Sequence, residues 1–131
     1  MFEMKEVYKL GVPHIDEQHS RLFELGEKAY NLLKDTYSID KYDKIVAIIQ
    51  ELGEYTVTHF KDEEEYMQSI NYKRLLSHKI EHDNFIKAVN ELDLNKIDSD
   101  QDEYIMNILE FIAKWLSEHI IEKDILIAGS I

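Results

Sequence analysis

Residues 77–83 read SHKIEHD, a stretch that would pass for the polar face of an ordinary helix but for His78 and His82. On an α-helix, residues four apart differ by about 40° in azimuth and project from the same face. The chain has only six histidines, so two of them share one helical face and can converge on one point.

The residues around this pair set the helix. Leu75, Phe85, Val89 and Leu92 continue the face of His78 and His82 as an apolar stripe, which predicts a helix over 75–92. Three more stripes have the same period. After GVPHI (11–15), Asp16 reads as an N-cap, and Leu22, Leu25, Ala29 and Leu32 follow to about Tyr37. After SID (38–40), which offers caps again, Ile45, Ile48, Leu52, Tyr55, His59 and Glu63 run to about Gln68, with a break at SINY (69–72). After the polar loop DLNKIDSD (93–100), Tyr104, Ile108, Phe111, Trp115 and His119 trace a last helix from caps near position 100 to the mid-120s. Four amphipathic helices with short connections predict an all-α fold, an up-down-up-down antiparallel four-helix bundle. The expected organisation is a single domain over 1–131, with a short arm at 1–15 and the bundle at 16–127.

Composition agrees and excludes several functions. The 131 residues are 44% hydrophobic, with four glycines and one proline, a helical rather than turn-rich composition. A formal net charge of -12 repels phosphate backbones and anionic headgroups, so neither nucleic acid nor a membrane is an expected partner. There is no apolar run of the roughly 20 residues that cross a bilayer and no signal-like amino terminus, which predicts a cytoplasmic protein. The absence of cysteine removes disulfides, thiolate catalysis and sulfur-ligated metals. Any metal must be held by nitrogen and oxygen.

The histidines supply the functional signal. His59 with Glu63, and His78 with His82, lie in apolar stripes, where an unpartnered imidazole is costly. His19 falls near the start of the first helix, His59 and Glu63 near the end of the second, His78 and His82 near the start of the third, and His119 near the end of the fourth. In an up-down bundle those four places are at one end. Five imidazoles thus arrive at one level of the core, as a shared metal site requires. His14 precedes the first cap, has no partner at ligand spacing, and reads as a surface residue.

The segments IDEQHSRLFEL (15–25), HFKDEEEYM (59–67), HKIEHDNF (78–85) and WLSEHIIEKD (115–124) together closely resemble the bacterial hemerythrins, non-haem di-iron oxygen-binding four-helix bundles. The resemblance runs from about Val7 to Asp124, and its ordered motifs (His, HxxxE, HxxxH, HxxxxD) are specific. It implies that His78, His82 and His119 bind one iron, that His19 and His59 bind the other, and that Glu63 and Asp124 bridge the two together with an oxo or hydroxo group. Ideal helical geometry alone prefers Glu122 to Asp124 as partner of His119, because residues five apart sit about 140° around a helix. Asp124 therefore requires a π-type turn or a frayed end in the last helix. After Asp124 the chain departs from the family, with ILIAGSI (125–131) in place of its usual basic and aromatic residues.

With that ligand set, two six-coordinate ions would keep one position open, on the iron held by His19 and His59. An open site facing the apolar interior implies reversible dioxygen binding for storage, transport or delivery rather than an enzyme. By family analogy Trp115 and Leu116 wall the pocket, with Phe23 and Phe60 as contributors, and Ser117 could bring a hydroxyl near it. The alternatives are an oxygen or redox sensor, and an enzyme reducing peroxide or nitric oxide on the same scaffold. A ferritin-like oxidase calls for Glu-x-x-His pairs, and no Glu stands three residues before any histidine here. Zinc prefers four ligands and would leave several of these seven unused. The expected partners are dioxygen and a redox or oxygen-consuming protein, and the expected state is a monomer.

Overall fold

The computed structural model describes residues 1–35, 41–92 and 102–128. Four long helices account for most of them: α1 Pro13–Lys34, α2 Lys41–Ser69, α3 Leu75–Asn90 and α4 Asp102–His119. A π turn, Ile120–Asp124, and a short α5, Ile125–Ala128, continue directly from α4. The end of the first helix beyond Asp35, the SID caps, the 93–100 loop and the caps near position 100 lie outside the described residues.

The first helix starts earlier than expected. Asp16 is not its N-cap: α1 begins at Pro13, with Val12 in the cap position, because proline presets a helical φ and lacks an N–H that would be unpaired there anyway. His14 is consequently inside the helix, though exposed. The Asp16 carboxylate instead accepts hydrogen bonds from the backbone N–H groups of Leu10 (2.8 Å) and Gly11 (3.0 Å). It ties the incoming turn to α1, and Gly11 makes that turn at φ 86°, a left-handed conformation that glycine adopts without steric cost.

At the SINY break, Asn71 takes φ 54°. The Tyr72 N–H donates to the Met67 carbonyl (2.9 Å) and the Asn71 N–H to that of Gln68 (3.1 Å), the paired bonds of a Schellman helix end. This closure lets α3 turn back along α2.

The helices run up, down, up and down. The start of α1, the end of α2, the start of α3 and the end of α4 meet at one level, where His19, His59, His78 and His119 converge, and only alternating directions place them there. α1 packs along α2 and α4, and α2 along α3. The main core includes Leu22, Leu25, Ile45, Leu52, Ile105 and Leu109. In the last helix the expected stripe holds at Ile108 and His119, which are buried, but the buried face is completed by Ile105, Leu109, Ile112 and Leu116, whereas Phe111 is exposed and Tyr104 and Trp115 are half-buried. Among the described residues no helix is long and apolar enough to cross a membrane.

The expected arm is not an appendage. Phe2, Tyr8, Leu10 and Val12 are buried, Tyr8 stacks on Phe23 (5.4 Å between centroids, 10° between planes), and the Phe2 N–H donates to Glu27 (2.6 Å). A β-carbon added at Gly26 would fall on the Phe2 ring. Gly26→Ala is therefore expected to destabilise the fold by about 1–3 kcal/mol through overpacking. In a Phe2→Ala background the same change should become neutral, or stabilising by up to about 1 kcal/mol, because only the helix propensity gain remains. Urea unfolding of the parent and the three variants measures both signs.

Candidate metal centre

On α1, α2 and the last helical stretch a candidate ligand lies between an apolar residue of the main core and one of a smaller cluster that closes the bundle end. On α1 the order is Ile15, His19, Phe23. On α2 it is Phe60, Glu63, Met67. On the last helical stretch it is Leu116, His119, then Asp124 and Ile127. Phe23, Phe60 and Leu116 belong to the main core, and Ile15, Met67 and Ile127 to the end cluster with Leu10, Val12 and Tyr72. The polar layer is sealed on both sides by residues one helical turn away.

All seven residues expected to bind metal meet in that layer, and all seven are buried. They form two overlapping groups, Glu63, His78, His82, His119 and Asp124, and His19, His59, Glu63 and Asp124, with the atoms of each group within 4.8 Å of one another. The two carboxylates are common to both. Glu63 Oε1 faces His78 (3.0 Å) and His82 (3.2 Å), while its Oε2 faces His59 (3.2 Å) and His19 (3.5 Å). Asp124 Oδ1 faces His78 (2.8 Å) and His119 (3.0 Å), while its Oδ2 faces His19 (3.2 Å). Each carboxylate thus turns one oxygen to either group.

Asp124 reaches the layer through the π turn. Bonding from i to i+5 brings residues five apart over one another, so His119 and Asp124 share a face that a regular helix would deny them. Glu122 is exposed. His14 also lies apart, edge-on to the Tyr66 ring at 5.7 Å.

The contacts do not form an ordinary hydrogen-bond network. Among the described residues, both ring nitrogens of His19, Glu63 Oε2 and Asp124 Oδ1 are buried without a hydrogen-bond partner, although Asp124 Oδ1 lies 2.8 Å from His78 Nε2. Orphaned buried polar atoms are rare because each costs a desolvation penalty. Three of them, His19 Nε2, Glu63 Oε2 and Asp124 Oδ1, lie among the ligand atoms of the two groups, whereas His19 Nδ1 is on the other side of its ring. The spacing also fits a metal: with a bond of about 2.1 Å, neighbouring ligands are about 3.0 Å apart on an octahedron and about 3.4 Å on a tetrahedron. His119 Nε2 is 3.1 Å from both His78 Nε2 and His82 Nε2, and the four carboxylate contacts of this group span 2.8–3.2 Å.

The charge balance asks for a cation. Burial pushes Glu63 up, but its four facing histidines hold it well below the usual carboxylate range. Burial and the charge of Glu63 push Asp124 up, and His119, His19 and His78 outweigh them to hold it low. Conversely, burial lowers His19 and His78, but the carboxylates of Asp124 and Glu63 raise each to about 9. Without metal the imidazolium protons neutralise the two carboxylates, and a metal would take their place.

Residues behind the ligands were not anticipated from sequence. Glu64 Oε2 is 2.9 Å from His82 Nδ1, Gln18 Oε1 is 2.8 Å from His59 Nδ1, and Glu81 Oε2 is 3.3 Å from His119 Nδ1. Glu64 and Gln18 are placed to accept the Nδ1 proton and leave Nε2 aimed into the layer, whereas Glu81 stands at ion-pair distance from His119. Phe60 stacks on His82 (3.8 Å, 1°), and Trp115 on His119 (4.4 Å, 11°). Leu116 is buried, Ser117 is half-buried, and the ring contacts of Phe23 are with Phe2 and Tyr8. Phe85, a residue of the third helix's apolar stripe, stacks on Trp115 at 4.1 Å.

The hemerythrin HHE cation binding domain model matches residues 10–127. The chain belongs to the hemerythrin family. It is 51% identical to the bacteriohemerythrin of Clostridium acetobutylicum over 95% of this chain and 96% of that one. It is 32% identical to those of Pseudomonas paraeruginosa (87% and 71%) and Methylococcus capsulatus (83% and 79%).

Because Glu63 serves both groups, Glu63→Ala is expected to weaken metal retention by more than the roughly 10–100-fold lost when an outer partner is removed, while His14→Ala leaves metal content unchanged. Asp124→Ala should behave like Glu63→Ala and Glu122→Ala like the parent. Metal analysis after dialysis decides each pair, and equal retention in Asp124→Ala and Glu122→Ala would remove Asp124 from the centre.

Proposed function

We propose that this hemerythrin-family chain binds dioxygen reversibly at a di-iron centre. His78, His82 and His119 would hold one iron, His19 and His59 the other, and Glu63 and Asp124 would bridge them. The observation that carries this reading is the division of both carboxylates, one oxygen to each group of ligands. That arrangement suits two ions sharing two anions. The near-octahedral spacing favours iron over zinc.

A ferrous pair supplies the electrons and the coordination position that reversible dioxygen binding needs. The chain's own residues set the conditions. The group around His19 and His59 offers one protein ligand fewer than its neighbour, which leaves room there for an exogenous molecule. Phe60, Phe85, Leu116 and Trp115 on one side, and Ile15, Met67 and Ile127 on the other, keep bulk water and its protons away. A site poor in proton donors favours release of dioxygen over its reduction. Storage, delivery to an oxygen-consuming partner and sensing are all compatible uses of this chemistry, and we favour storage or delivery.

The test is the visible spectrum of the iron-loaded, reduced protein as oxygen is admitted and then swept out with argon. Reversible binding predicts a colourless form that gains a charge-transfer band and loses it on deoxygenation. One-way oxidation to the ferric form, with consumption of peroxide or nitric oxide, would overturn the reading in favour of an enzyme.

A further inference from the structure

The two halves of the centre differ in what stands behind their histidines. In the three-histidine half, two of the ligands back onto carboxylates. Glu64 contacts His82 Nδ1 at 2.9 Å, and Glu81 lies 3.3 Å from His119 Nδ1. In the two-histidine half, His59 Nδ1 meets the neutral carboxamide of Gln18 (2.8 Å), whose orientation is fixed by donation from its Nε2 to Asp62 (2.7 Å). His19 Nδ1 is buried with no hydrogen-bond partner among the described residues. Among the described residues, carboxylates thus face the outer nitrogens of the three-histidine half directly, and in the two-histidine half the nearest such carboxylate, Asp62, stands one residue further back behind Gln18.

A carboxylate behind an imidazole makes its Nε2 a stronger donor and adds negative charge a few ångströms from the metal. Both effects favour the more highly charged ion. We infer that Glu64 and Glu81 act as positioning residues that place ferric charge on the three-histidine half when one electron is removed from the pair, leaving the ferrous ion with His19 and His59. The inference rests on the di-iron reading above.

Glu64 carries the larger share. It is the closer of the two and its side chain is 21% exposed, against 37% for Glu81. Glu81 is also partly neutralised by Lys123 at 3.4 Å. The outcome bears on dioxygen chemistry because the ferrous ion would then be the one with fewer protein ligands, where an exogenous molecule has room.

The experiment uses the iron-loaded protein under argon and an outer-sphere mediator. Potentiometric titration gives the one-electron equilibrium, and Mössbauer spectra of half-oxidised samples locate the ferric ion. Glu64→Gln keeps an acceptor for the His82 N–H and loses the charge. It is expected to shift the equilibrium about tenfold toward the ferrous form, about 59 mV more positive for one electron, and Glu81→Gln should shift it the same way by less. The exchange Gln18→Glu with Asp62→Asn preserves the hydrogen bond and brings the carboxylate of this half from one residue back into direct contact with His59, so it should lower the potential and draw ferric charge toward the two-histidine ion.

A Glu64→Gln protein with two irons and the parent potential would overturn the inference while leaving the di-iron reading intact. A parent chain that holds fewer than two irons would sink that reading first. Should Glu64→Gln fail to load, the exchange variant decides alone, and ferric charge distributed as in the parent would overturn the inference.

Discussion

Two carboxylates buried at one level of the bundle, Glu63 and Asp124, are the constraint on which the rest of the structure depends. An isolated carboxylate taken out of water costs several kcal/mol even after the surroundings relax. Neither stands alone. Glu63 faces four histidines and Asp124 three, and these hold both anions ionised. Removing one member from such a cluster leaves the others uncompensated, so the seven residues act as a unit. The helices must then run in alternating directions, because no other arrangement brings the start of α1, the end of α2, the start of α3 and the end of α4 to one level.

The apolar layers above and below follow from the same constraint. Ion–ligand and ion–ion interactions strengthen as the local dielectric falls, and a site open to water would also admit protons. Ile15, Met67 and Ile127 close the bundle end, and Phe60, Phe85 and Trp115 close the core side. The buried Leu10 and Val12 contribute to the end cluster, so the amino-terminal stretch is part of the seal. Its attachment through Asp16 and Gly11 thus has a role beyond starting a helix.

Most of this was legible because helical period is a strong signal and histidine is conspicuous in an apolar stripe. The four helices, their directions and the five imidazoles follow from spacing alone. Legibility failed where more than one phase fits. The last helix carries Ile105, Met106, Ile108, Leu109, Phe111, Ile112, Trp115 and Leu116 around much of its circumference, so the sequence does not say which side is buried, and Phe111 was wrongly set in the core face. Asp16 has a good cap chemistry, yet Pro13 wins the helix start. Glu64, Glu81 and Gln18 were invisible for a different reason: acidic and polar residues beside a ligand look like a solvated face until the neighbouring helix is in place.

The π turn shows how a local irregularity can be required by a distant pairing. Had the helix continued regularly past His119, Asp124 would point about 140° away, and Glu122 would be the nearer carboxylate. Five residues of wider winding, Ile120–Asp124, re-phase the chain so that Asp124 faces the layer and Ile127 falls into the end cluster. The turn also keeps Lys123 beside Glu81. A π turn is less favourable than α-helix in isolation and is held where surrounding contacts over-determine it. Here those contacts are three imidazoles on the Asp124 carboxylate and an apolar socket for Ile127. The helix is distorted because the buried charge needs its second carboxylate at that place.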